Sequence, residues 1–79
     1  MRWYYKLIEK GINFYLYAYS RESKDFDGQI RFDTETGKTT LVTPSAVDMD
    51  SKFLQGKAQE HFWKVVRDGF PEERSVCCG

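Results

Sequence analysis

Two neighbouring segments, Arg2–Glu9 and Ile12–Ser20, hold every tyrosine of the chain, together with Trp3 and Phe14. Aromatic and β-branched residues favour extended backbone, where neighbouring side chains point to opposite faces. The two segments therefore read as one β-hairpin with rings on both sides. In Ile12–Ser20 the alternation is clean: Ile12, Phe14, Leu16 and Ala18 interleave with Asn13, Tyr15, Tyr17 and Tyr19. Lys10-Gly11 supplies a two-residue turn, since glycine tolerates the positive φ such a loop requires. That turn pairs Leu7 with Phe14, Tyr5 with Leu16 and Trp3 with Ala18 on one face. The other face then joins Tyr4 to Tyr17, Lys6 to Tyr15 and Arg2 to Tyr19.

The rest of the chain supplies two more strands and one helix. Asp27-Gly28 is a turn signal. Gln29–Asp33 reads as a short third strand with Ile30 and Phe32 inward. Thr34-Glu35-Thr36-Gly37 closes a hairpin, and Lys38–Thr43 returns with Leu41 opposite Ile30. Pro44, which has no N–H for a ladder, ends it. Beyond it the period changes. Leu54, Ala58, Phe62, Val65 and Val66 form one apolar stripe at helical spacing. Asp48 or Asp50 is the expected N-cap, and Gly69-Phe70-Pro71 is a strong stop, with Phe70 folding back onto Val65. The fold class is α+β: a four-stranded antiparallel meander, ββββα, with one helix on one face. Val76-Cys77-Cys78 suits a short fifth strand at the sheet edge beside the first. The expected core is Trp3, Tyr5, Leu7, Phe14, Leu16, Ile30, Phe32, Leu41, Leu54, Ala58, Phe62 and Val65.

Residues 1–79 make a single domain, near the lower size limit for folding without staples. An aromatic content of 16% meets that difficulty, because rings bury the most area per residue. Twelve basic residues balance twelve acidic ones, which argues against a dedicated polyanion binder. No run is long and apolar enough to span a bilayer, and the first residues, Met-Arg-Trp-Tyr-Tyr-Lys, lack the features of a secretory leader. Cys77 and Cys78 are adjacent, so a bridge between them closes almost no loop. These features predict a cytoplasmic protein with reduced thiols.

No sequence pattern supports an enzyme. Thr36-Gly37-Lys38-Thr39 resembles the end of a P-loop, but Phe32 stands where the first glycine belongs, and the loop joins two strands. Asp25-Phe26-Asp27-Gly28 lacks the remaining ligands of a calcium loop. Neighbouring thiols in a strand point apart, so Cys77 and Cys78 cannot share a metal; a buried thiol acting as a small hydrophobe is the expectation. His61 has no positioned partner, and Lys57 and Lys64 flank it at helical spacing. Trp63 lies beside the apolar stripe, as a roof over the core edge or an exposed anchor. No cofactor or metal is expected.

One helix can cover one sheet face. The candidate binding surface is therefore the opposite one: Arg2, Tyr4, Lys6, Tyr15, Tyr17, Tyr19 and Arg31. It suits a non-catalytic interaction module that meets another protein or a second copy of itself. Single-stranded nucleic acid stacking on the rings is the alternative, disfavoured by the zero net charge.

Overall fold

A computed structural model describes residues 1–77. Five antiparallel strands form one sheet: β1 Arg2–Lys10, β2 Phe14–Arg21, β3 Gly28–Asp33, β4 Lys38–Thr43 and β5 Glu73–Cys77. Their spatial order is β4-β3-β2-β1-β5, so the meander is extended by β5 at the edge beside β1, as the sequence suggests. A 3₁₀ turn at Ala46–Asp48 leads into α1, Lys52–His61, and α2, Trp63–Arg67. Phe62 between them keeps right-handed helical angles, so α1 and α2 form one helical layer on one side of the sheet. Cys78, part of the expected C-terminal strand, lies outside the described residues.

The second hairpin is built as expected. Ile30 pairs with Leu41, and Gly37 turns the chain at φ +73°, where its missing Cβ matters. The first hairpin is not. Its loop is Gly11-Ile12-Asn13, closed by the Gly11 N–H donating to the Phe14 carbonyl at 2.9 Å. Next to it Lys10 pairs with Tyr15 and Glu9 with Leu16; a bulge between Leu7 and Glu9 then shifts the register, so that Leu7 pairs with Tyr17, Tyr5 with Tyr19 and Trp3 with Arg21. The loop alone displaces the pairing by an even number of residues. The bulge changes this by one, and because the side-chain period of a strand is two, it turns β2 over relative to the Trp3–Leu7 part of β1. Tyr15, Tyr17 and Tyr19 face the helices, while Phe14, Leu16 and Ala18 face away. The expected placement of Phe14 and Leu16 in the core is thus corrected.

The core under the helices is largely aromatic. Trp3, Tyr5, Tyr17, Tyr19, Ile30, Ala58, Phe62, Val65 and Val76 form one buried cluster, with Leu7, Tyr15, Phe32, Leu41, Val66 and Phe70 packed around it. Phe62 is its hub. The rings of Tyr5 and Tyr17 meet it edge-on, at centroid distances of 5.5 and 5.2 Å. Phe70, at φ +57°, turns back toward Val65 and packs against the core cluster. Its N–H donates to the Val65 carbonyl, and its ring stacks on Tyr15 at 3.9 Å.

The helix start also differs from expectation. Ser51 is the N-cap, its hydroxyl accepting from the Leu54 N–H at 3.2 Å. Asp48 is instead fully buried and bonds the Arg21 guanidinium at 2.7 Å. The Gln55 amide donates to the Asp48 and Met49 carbonyls, both at 2.9 Å, and ties this pair to α1. Arg21 thus satisfies one carboxylate oxygen of Asp48, while Oδ2 is buried without a protein hydrogen-bond partner.

Candidate functional site

The seven residues of the expected surface separate into two groups. Tyr17 and Tyr19 are completely sealed, and Tyr15 is half-buried against Phe70. Their inclusion in a wet tyrosine face is overturned by the register of the first hairpin. Arg2, Tyr4, Lys6 and Arg31 do lie together on the side that α1 and α2 leave uncovered.

Each sealed tyrosine has a task that the sequence did not disclose. The Tyr5 hydroxyl donates to the Ala58 carbonyl at 2.7 Å, and Tyr17 donates to the Pro71 carbonyl at 2.5 Å. The Tyr19 hydroxyl accepts from the Ser45 N–H at 2.8 Å. Three phenols thereby fasten α1, the chain entering β5, and the β4–α1 connection to the sheet. A buried hydroxyl is tolerated when it finds such a partner. Burial pushes the Tyr17 phenol up to about 12 and raises those of Tyr5 and Tyr19 as well.

On the uncovered face, cross-strand pairing sets Lys6 beside Ala18, Leu16 beside Arg31 and Tyr4 beside Ser20. Phe14, Leu16 and Tyr4 are half-buried, while Arg2, Lys6 and Arg31 are exposed. The loop between β2 and β3 folds back over this face. It lays the Phe26 ring 5.9 Å from the Lys6 ammonium and the Lys24 ammonium 5.5 Å from the Tyr4 ring. The Arg31 guanidinium covers Phe14 at 4.1 Å. Such contacts are electrostatically favourable, and the cations' stems shield the rings. The Arg2 guanidinium is held further toward its charged form by hydrogen bonds, first to Tyr4 and then to Cys77. Between the loop and β5, an open groove of about 260 Å³ runs past Tyr4, Lys24, Phe26 and Ser75.

Two positions weighed for chemistry fare differently. Cys77 is exposed on β5, so the expectation of a buried thiol fails for it. His61 packs against Trp3 with the ring centroids 4.9 Å apart and the planes tilted by 36°, and neither ring nitrogen has a protein hydrogen-bond partner. Among the described residues no cluster of three or more His, Cys, Asp or Glu is placed to hold a metal ion. Among the same residues no helix is long and apolar enough to cross a membrane. Trp63 is half-exposed between the Arg67 guanidinium at 4.9 Å and the Lys64 ammonium at 5.9 Å. No protein family matches the chain, and neither a curated protein nor a solved structure matches it.

Proposed function

We propose that the protein is a non-catalytic interaction module whose binding surface is the uncovered face of the sheet, centred on Arg2, Tyr4, Lys6 and Arg31. The observation that supports this is the set of cations seated over rings on that face: Arg31 on Phe14, Lys6 on Phe26 and Lys24 on Tyr4. An acidic side chain can pair with each cation while apolar groups next to it meet the ring edges. Charge complementarity favours a protein segment that mixes carboxylates with aliphatic residues. Single-stranded nucleic acid fits less well. Base stacking needs free ring faces, and here cations lie over them.

Titration of isotope-labelled protein with a short peptide of alternating glutamate and leucine tests the reading. Amide shifts confined to Arg2, Tyr4, Lys6, Ala18 and Arg31, lost in a Lys6→Ser/Arg31→Ser variant, support it. Shifts scattered over α1 and α2, or none, refute it. Light scattering distinguishes a second copy as the partner. An oligothymidine titration at low salt distinguishes nucleic acid.

A further inference from the structure

His61 ends α1 with its ring against Trp3, which is 1% exposed. Both imidazole nitrogens are sealed from solvent and unpaired with protein, as is the Trp3 indole nitrogen. A neutral imidazole can rest tilted against an indole, here at 36° between the ring planes, and gain from the contact. An imidazolium in the same place has two N–H donors and a full charge, with neither water nor an acceptor to take them.

The surroundings add to that difficulty. On the helical layer, Lys57 and Lys64 oppose a positive charge, and Glu60 favours it. Glu60 is itself shared with Lys57 at 3.5 Å. From the sheet, Trp3 is paired with Val76, which does not titrate, and with Arg21, whose guanidinium is committed to Asp48 at 2.7 Å. The next inward pair is Tyr5 and Arg74. The Tyr5 hydroxyl is committed to Ala58, and the Arg74 guanidinium is committed to Asp68 at 2.6 Å. Among the described residues, Glu60 is the one acid that acts on the ring.

His61 also sits where the helical layer is weakest. The Phe62 N–H reaches to Gln59 at 3.3 Å instead of to Ala58, whose carbonyl takes the Tyr5 hydroxyl. The regular ladder is therefore interrupted one residue after His61, next to the hub of the core. A break in the i→i−4 pattern is a natural place for a helix to bend.

We propose that His61 is an acid-sensitive latch: on taking a proton its ring leaves Trp3, and the α1–α2 junction loosens from the β1–β5 side of the sheet. Burial first, and Lys64 and Lys57 after it, lower the imidazole below its ordinary value of about 6.5. The unfolded chain then binds a proton that the closed state refuses. The latch's contribution is complete above about pH 6.5 and is lost as pH falls through the lowered value.

The test combines ring NMR with selectively excited tryptophan fluorescence in a Trp63→Phe background, where Trp3 is the sole tryptophan. The expected result is an imidazole titration below about pH 6.5, with a red shift of Trp3 emission over the same range. Faster amide exchange at Phe62 and Val65 should accompany it. His61→Phe and His61→Gln should each abolish the red shift. Titration at or above the ordinary value overturns the proposal. So does protonation without a change in Trp3, or an equal red shift in a His61 variant. Should neither variant fold, the wild-type titration and exchange decide the matter alone.

Discussion

The two sides of the sheet carry the same classes of residue and use them in opposite ways. On the helical side, Tyr5, Tyr17 and Tyr19 are sealed, and their hydroxyls are spent on backbone groups of the layer above. On the open side, Tyr4, Phe14 and Phe26 lie beneath or beside cations that remain in water. One arrangement fixes the distance between two layers; the other leaves charge available at a surface. The difference is one of partners. A phenol is a core residue when a backbone group waits at its tip, and a surface residue when a cation supplies cover instead.

The contrast would break most plainly under truncation. Tyr17→Ser or Tyr19→Ser removes a wholly buried ring, at about 3–5 kcal/mol by analogy with Phe→Ala in cores. A domain of this size has about 4–12 kcal/mol in total, so either change should leave much of the chain unfolded at room temperature. Tyr4→Ser on the open side should shift stability by less than about 1 kcal/mol. Urea denaturation followed by circular dichroism measures all three. Equal losses at Tyr4 and Tyr17 would erase the distinction between the faces.

A smaller effect probes the same core from the neighbouring strand. Gly28 is buried and paired with Tyr19, and a Cβ placed on it would stand 2.2 Å from that ring. Gly28→Ala should therefore cost about 1–3 kcal/mol through overpacking. Gly56 has nothing within 4 Å of such a Cβ and lies exposed in α1. Gly56→Ala should stabilise by up to about 1 kcal/mol through helix propensity alone. Opposite signs for the two alanines, read from thermal unfolding, are the expected outcome.

How far the sequence discloses this arrangement depends on the hairpin. In β3–β4 the turn Thr34–Gly37 is unambiguous, and the pairing of Ile30 with Leu41 follows from it. In β1–β2 the glycine lies beside Lys10, which suggests a tight turn, yet Ile12 belongs to the loop and is fully exposed. An isoleucine in water at a hairpin tip opposes the usual drive to bury it, and local patterning gave no hint of it. The bulge between Leu7 and Glu9 then made the displacement odd and inverted β2. Tyrosine could not betray the error, because it suits either face. The uncovered positions on β1 and β3 survived because only β2 turned over. Likewise, Asp48 was legible as a helix-proximal acid, but its burial depends on Arg21, which is distant in sequence.

Removing hydroxyls while keeping rings isolates the fastening from the packing. Tyr5→Phe leaves the Ala58 carbonyl unpaired beside a tightened turn, at about 1–3 kcal/mol. Alkali offers a second view. The unfolded phenol ionises near pH 10, while Tyr17 in the fold is pushed up to about 12 and Tyr5 and Tyr19 are raised too. Their contribution is whole below about pH 10 and is lost as pH rises through the folded values. Phenolate absorbance from these residues should grow together with the loss of circular dichroism. Ionisation of every tyrosine while the fold remains intact would show the inner hydroxyls to be open to solvent.

The smallest expected effect lies on the open side, and its smallness is informative. Lys6 and Arg31 each cover a ring, but their heads stay solvated, and exposed cation–π pairs contribute only about 0.5–1 kcal/mol. Lys6→Ser with Arg31→Ser should accordingly change thermal stability little, and the two losses should add if the sites act separately. A loss approaching that of Tyr17→Ser would make these cations part of the structural frame, leaving little reason to regard the face as a contact surface. Near-neutral stability together with loss of acidic-peptide binding would separate the roles: phenols hold the layers together, and the cations on the far side are free to meet a partner.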